Sequence, residues 1–218
     1  ISAYFAGSRF FEVKTVQIID GEDLPVSKPC IDATDEGYNI EWSTELTVPD
    51  AMGEYIKAWV ILHLMAKEMG LGAQDGFQFN MSVGYDLAGI RSEKINTFID
   101  SMIEAKDTEV FKNAIRTAKA NLSKFKHVTE ADIDAIPSAI CNSATISTLH
   151  GCPPKEIESI ATYLITEKHL NTFVKCNPTL LGYDFARKTL DEMGYDYVSF
   201  GRFHFEDDLQ YQDAVPMF

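Results

Sequence analysis

The stretch Ser147-Thr-Leu-His-Gly-Cys-Pro-Pro-Lys-Glu156, followed soon after by Phe173-Val-Lys-Cys-Asn-Pro178, decides how this chain is read. Ser138–Leu149, with its small polar and β-branched residues, predicts a strand running into the first stretch. Pro153 and Pro154 suit a first helical turn, where a missing N–H is no loss. Ile157, Ile160, Ala161, Leu164 and Ile165 then fall on one helical face. Thr172–Asn177 is the next strand, and Pro178 stops it. Cys152 stands directly before the helix start. There the positive end of the helix dipole and unpaired backbone N–H groups favour a thiolate. If the chain does chemistry, this loop is where the sequence puts it.

Working outward, short strands and amphipathic helices keep alternating. Phe10–Ile19 is β-rich, lacks turn residues and is closed by Asp20-Gly21, so it reads as a buried strand. Lys14 within it is either a strand-end lysine reaching solvent or a ligand-facing lysine at a barrel mouth. Glu22–Pro49 contains Pro25, Pro29, Gly37 and Pro49 and no sustained period. It reads as a long loop, of a kind often functional, with a short strand at Asn39–Trp42. Trp42 either packs on the rim or folds over a ligand. Asp50–Met69 is apolar almost all round, which predicts a covered helix ended by Gly70, with His63 as a satisfied, partly buried histidine. Phe77–Gly84 alternates as a strand, and Ile95, Phe98, Ile99, Met102 and Ile103 mark a helix face. Asp107–Phe125 and Thr129–Ile136 read as helices, the second capped by Thr129, and form a helical insertion over 107–137. Beyond the second cysteine strand, a helix over Asp184–Met193, a strand over Tyr195–Phe200 and the start of a helix over Asp207–Val215 complete the pattern.

Five strands alternating with helices predict an α/β fold with a parallel sheet. Both an open doubly wound sheet and part of a (β/α)8 barrel fit. No G-x-G-x-x-G follows the first strand, which favours the barrel. A net charge of −14 over 218 residues argues against a nucleic-acid partner, though not against one small anion held by local donors. Cys30, Cys141, Cys152 and Cys176 show no C-x-x-C spacing, predicting a reduced, cytoplasmic compartment and no structural zinc. The apolar run Ala58–Met65 is too short to span a bilayer, so no membrane association is expected. With no initiator Met and no terminal cap at Val215–Phe218, the chain reads as a piece of a longer protein.

In either architecture ligands bind at the carboxyl ends of the strands. That rule collects Lys14, Asn80, Ser82, Tyr85, Asp86, Asn142, His150, Cys152, Lys175 and Asn177. Two lysines, several amides and a cysteine suit an anionic, planar, hydrogen-bonding ligand such as a flavin together with its substrate. A lysine near the flavin N1–C2 carbonyl edge stabilises negative charge on the reduced ring. A cysteine across the ring serves as proton donor or acceptor in hydride transfer. A nucleophilic pair of Cys152 with His150 is the weaker reading, because residues two apart in a loop need not face each other and no third orienting group is identifiable. His204 in Phe203-His-Phe205 reads as packing, and no carboxylate pairs with histidine at metal-ligand spacing.

Several motifs carry a family resemblance: Arg9-Phe-Phe-Glu-Val-Lys-Thr-Val-Gln17, Lys28-Pro-Cys-Ile-Asp-Ala33, Glu41-Trp-Ser-Thr-Glu45, Phe79-Asn-Met-Ser-Val-Gly-Tyr85, Ile146-Ser-Thr-Leu-His-Gly-Cys-Pro-Pro154 and Asn171-Thr-Phe-Val-Lys-Cys-Asn-Pro-Thr-Leu-Leu-Gly182. They resemble the large putative selenate reductase iron–sulfur subunit family of bacteria, related to dihydropyrimidine dehydrogenase and, more distantly, dihydroorotate dehydrogenase. The resemblance covers nearly the whole chain and is least over 107–137. It implies a partial FMN-binding (β/α)8 TIM barrel over 1–218, with the first barrel strand and the C-terminal strands outside the chain. It implies FMN contacts for Lys14 and Lys175 and Cys152 as the active-site acid or base, and the strand-end reading adds Asn80 and Asn177 on the cofactor side. Tyr85, Asp86, Asn142 and His150 are expected on the substrate side. Asp86 departs from the asparagine expected at its position. Iron–sulfur clusters, FAD and NAD(P), and the glycine-rich segments for the FMN phosphate, are expected in the missing parts. Expected partners are a small-molecule substrate, other modules of an electron-transfer complex and, for the fragment, further copies of itself. The alternative is a barrel scaffold for electron-transfer modules without its own flavin.

Overall fold

A computed structural model of the chain describes residues 1–14, 47–84, 86–147, 153–206 and 208–217. Its centre is a parallel four-stranded sheet in sequential order, formed by β1 (Phe10–Lys14), β2 (Gln78–Val83), β3 (Cys141–Ser147) and β4 (Asn171–Lys175). The described helices are α1 (Ser2–Phe5), α2 (Val48–Met69), α3 (Leu87–Ile90), α4 (Glu93–Ile103), α5 (Glu109–Ala120), α6 (Glu130–Asp134), α7 (Pro154–Thr166), α8 (Tyr183–Glu192), α9 (Phe203–Glu206) and α10 (Tyr211–Met217). Parallel neighbours need a crossover, and α2, α4 and α7 supply the three that link β1 to β4.

The helix boundaries follow from local chemistry. Thr47 caps α2, its side chain accepting from the Asp50 N–H at 3.3 Å, and Pro49 lies in the first turn. Gly70 ends the same helix in the left-handed conformation at φ 61°, which costs glycine nothing. Pro153 and Pro154 open α7 as the sequence predicts. Thr129 and Asp132 form a reciprocal capping box on α6.

Alternation along each strand separates two faces. Val13, Phe79, Met81, Val83, Cys141, Ala144 and Ile146 point into the helix layer and are buried there with Ile56, Trp59, Leu62, Ile95, Phe98, Ile99, Met102, Ile160 and Leu164. Burying a large aliphatic or aromatic side chain contributes about 1.5–3 kcal/mol, so this layer holds the fold together. The insertion lies against α2 through α5 and α6. A smaller cluster of Ile157, Leu209 and Ala214, with Val174, Cys176, Leu180 and Met217 against it, fixes α10 beside α7 and β4.

Three expectations are corrected. Tyr195–Phe200 is no strand. Arg187 of α8 donates to the carbonyls of Tyr195 and Val198, and Val198 N–H closes a turn on Tyr195, so this backbone is committed to α8 instead of a ladder. His63 is fully buried at 1% exposure, between Trp59 (4.6 Å) and Phe77 (4.8 Å), and its Nε2 has no hydrogen-bond partner. The last helix starts at Tyr211, after the short α9, and not at Asp207. The expected strand at Asn39–Trp42, the Trp42 loop and the Thr15–Ile19 half of the first strand lie outside the described residues. Among the described residues no helix is long and apolar enough to cross a membrane.

Candidate functional site

The face of the sheet turned away from the helices is polar. If Phe11 and Val13 face the core, alternation sends Glu12 and Lys14 to the other side. The register puts Lys14 beside Ser82, Ser82 beside Thr145, and Ser147 beside Lys175. Between Phe79 and Met81 the β2–β3 register shifts, a bulge that sets both Asn142 and Ser143 opposite Asn80. Gln78 Nε2 confirms which way they point, donating to Asn142 Oδ1 at 2.8 Å and reaching Ser143 Oγ at 3.4 Å. The floor thus carries Glu12 and Lys14, then Gln78, Asn80 and Ser82, then Asn142, Ser143, Thr145 and Ser147, then Asn171 and Lys175. Phe10 and Phe173 are its apolar members.

Lys14 and Lys175 are the last residues of β1 and β4. They share a face and an end, on strands three ladder steps apart, or roughly 14 Å at the usual strand spacing. Their side chains therefore frame the polar floor and do not converge on one point. Tyr55 of α2 anchors the end of β1, its hydroxyl donating to the Lys14 carbonyl at 2.8 Å. Burial pushes the Tyr55 phenol above its ordinary range, with that backbone contact opposing the shift. The Lys14 ammonium lies 3.4 Å from a Glu12 carboxylate oxygen.

Asn80 lies at the middle of the floor and is fully buried. Its Nδ2 donates to Thr145 Oγ1 at 2.8 Å, while Oδ1 has no partner. Exchanging the two amide atoms would only move the vacancy from an acceptor to a donor. A buried amide atom without a partner costs about 1–3 kcal/mol and marks a place where a ligand atom would be welcome. This is the fit expected of residues that hold a flat, hydrogen-bonding cofactor. Asn177 follows β4 and precedes the 3-10 turn Pro178–Leu181, half-buried at the same end of the sheet as Lys175.

Two predicted site residues stand elsewhere. Asn142 is the second residue of β3, at its amino end, because the strand starts at Cys141 and not at Ser138. Upstream, Trp59 Nε1 donates to the Pro137 carbonyl and Ala105 N–H to that of Ser138, holding that backbone outside the ladder. Asp86 is the N-cap of α3, its carboxylate accepting from the Gly89 N–H at 2.7 Å. Glu156 of α7 reaches across to accept the Leu87 N–H at 2.7 Å, tying α3 to the helix after the cysteine loop. Tyr85, His150 and Cys152 lie outside the described residues. Glu12, Gln78 and Thr145 are missed by strand-end reasoning. The period-2 pattern through Lys14 is the signal that would have found Glu12.

The two described thiols are poor acid–base groups. Burial pushes Cys141 up to about 12, and Cys176, next to Lys175, is also raised by burial. No group of three or more His, Cys, Asp or Glu side chains among the described residues could hold a metal ion.

Four parallel strands in sequential order, linked by helices and polar on the face turned away from them, have the make-up of a barrel sector. Family comparison decides the matter: residues 1–218 match the family described as "Oxidoreductase YgfK, N-terminal TIM-barrel domain". The chain belongs to that family. Its relatives include the "Putative oxidoreductase YgfK" of Escherichia coli K12, 43% identical over 229 residues that span all of this chain and 22% of the relative. The protein of the same description from E. coli O157:H7 matches equally. The chain thus spans about a fifth of the length of these curated relatives. No solved structure matches it. The chain is a TIM-barrel domain of an oxidoreductase family, with β1–β4 as consecutive barrel strands.

Proposed function

We propose that this domain is the FMN site of a multidomain oxidoreductase that moves electrons between the flavin and a small substrate. The observation that carries the reading is the polar inner face, with Lys14 and Lys175 at its carboxyl end and the unpartnered Asn80 amide in its floor. FMN, when bound, supplies hydride and electron transfer. Lys14 and Lys175 offer positive charge to a ring that gains electrons, and Asn80 and Asn177 offer amide groups to its polar edges. Cys152, one residue before the N-cap of α7, holds the proton that the substrate gains or loses. Tyr85 and His150, in the segments that follow β2 and β3, contribute to the substrate side. Asn142, at the amino end of β3, and Asp86, engaged as a cap, are left out of that role.

The alternative is a barrel scaffold that holds electron-transfer modules and binds no flavin. In the sequence two features favour it, Asp86 in place of an asparagine and the acidic net charge of −14. The observed role of Asp86 is one that asparagine fills equally well, so the replacement gives that alternative no support. Iron–sulfur, FAD and NAD(P) modules belong, on this reading, to the four-fifths of the full-length protein outside this chain, in a cytoplasmic electron-transfer assembly.

The test is the full-length protein, purified and read by visible absorption, with released cofactor identified as FMN. We expect bound FMN. We also expect Cys152→Ala to slow substrate turnover about 10²–10⁴-fold while flavin content stays unchanged. A folded full-length protein that never carries flavin sinks the reading, and unchanged turnover in the variant removes the role of Cys152.

A further inference from the structure

Glu12 is an odd residue to find on this floor. It has the same orientation as Lys14, two residues earlier on β1, and it is paired in register with Asn80. Its carboxylate lies 3.4 Å from the Lys14 ammonium, with both side chains about one-third exposed (35% and 34%). A strand that needed only packing would gain nothing from a carboxylate there, and a lysine meant only for solvent would need no partner held on the inner face. The carboxylate also stands beside the Asn80 amide whose Oδ1 is unpartnered, so the ion pair borders the place where a ligand atom would sit.

We infer that Glu12 tempers Lys14: its carboxylate, paired with the ammonium over the polar floor, offsets part of the charge that Lys14 brings there. The field that a bound flavin meets at β1 is then set by the pair and not by lysine alone. This rests on the flavin reading above. Coulomb's law gives the sign. A negative charge near an anionic ligand weakens its binding and opposes electron uptake, and partial exposure moderates both effects. Glu12→Gln isolates this term, because the amide oxygen still accepts from Lys14 while the charge is gone. If Glu12 served only to prop up Lys14, losing the charge would weaken the contact and shift both quantities the other way.

The experiment uses the full-length protein as wild type, Glu12→Gln, Glu12→Asp, Lys14→Met and the Glu12→Gln/Lys14→Met pair. FMN affinity is read by titrating apoprotein and following flavin fluorescence, and midpoint potential by equilibration with redox dyes. Glu12→Gln is expected to bind FMN roughly 3–10-fold more tightly and to raise the potential, with both shifts shrinking as salt is added. Glu12→Asp, which keeps the charge, is expected to stay near wild-type values, and Lys14→Met to shift both quantities the opposite way from Glu12→Gln, with the double variant between the two. Wild type that binds no FMN overturns the flavin reading and this inference with it. Wild type that binds FMN while Glu12→Gln leaves affinity and potential unchanged, or lowers them, overturns the inference alone. A Lys14→Met variant that binds FMN as tightly as wild type also overturns it, since the ammonium would then bring no charge to the flavin for Glu12 to offset.

Discussion

His63 is a buried titratable side chain that the proposed chemistry does not use. Burial lowers its pKa from the ordinary 6.5 to about 4, with the Asp75 charge and the Gln74 backbone pulling weakly the other way. The folded state therefore prefers the neutral ring, and the unfolded chain binds a proton more readily. Stability from this residue is fully present above pH 6.5 and is lost as pH falls toward 4. The shift corresponds to about 3 kcal/mol. We predict that His63→Leu, which keeps the apolar contacts with Trp59 and Phe77, makes stability less dependent on pH across that window. Urea unfolding at pH 7 and near pH 4.5 measures it, and equal slopes for wild type and variant would refute the account. At the same scale the polar face was partly legible. Lys14, Lys175 and Asn80 stand out in the sequence because charge and amides at strand positions are unusual, and the register places all three on that face. Asn142 was misplaced because composition alone did not show that the ladder begins only at Cys141.

Among the elements, the insertion shares the main core through Phe111, Ala118, Val128 and Ile133 and is joined to α2 by specific polar contacts as well. Glu68, in the last turn of α2, accepts the backbone N–H groups of Lys126 (2.8 Å), His127 (2.8 Å) and Val128 (3.2 Å). Those N–H groups hold its carboxyl below the usual range, so this contact is present above the ordinary carboxylate pKa and weakens as pH falls through the lowered one. A second tie is Asp132 of α6, brought down to about 2 first by its hydrogen bond from Thr129 and then by Lys67 of α2, 3.0 Å away. We predict that Glu68→Ala speeds amide exchange at 126–128 without changing protection in β2 or β3. Hydrogen-exchange mass spectrometry checks it, and unaltered exchange in that turn would show that other contacts hold the insertion. Helices of this kind were legible because caps and apolar stripes are local signals. Tyr195–Phe200 was not, because its aromatic and β-branched residues suit a strand while Arg187, on a different element, claims its carbonyls.

At the scale of the whole molecule, β1 and β4 end the sheet among the described residues, and the polar floor exposes Phe10 (54%) and Phe173 (52%). Unpaired strand edges and apolar side chains at a sheet face favour association. We predict that the 218-residue chain, studied alone, self-associates in the micromolar range. Sedimentation velocity across a dilution series tests this, and a single compact monomer at every concentration would count against it. By itself the sequence determined the α/β class, the parallel order of strand and helix, the capped helices and the polar residue types at the strand ends. These rest on period, capping and turn chemistry, which act within a few residues. Only the tertiary structure decided which residues share the floor, that a bulge turns Asn142 and Ser143 the same way, and that Glu12 stands against Lys14. It also decided that Asp86 is occupied as a cap and that the backbone of Tyr195–Phe200 belongs to α8. The reason is that register, bulges and side-chain-to-backbone clamps join residues far apart in the chain, and their energies do not appear in any local window.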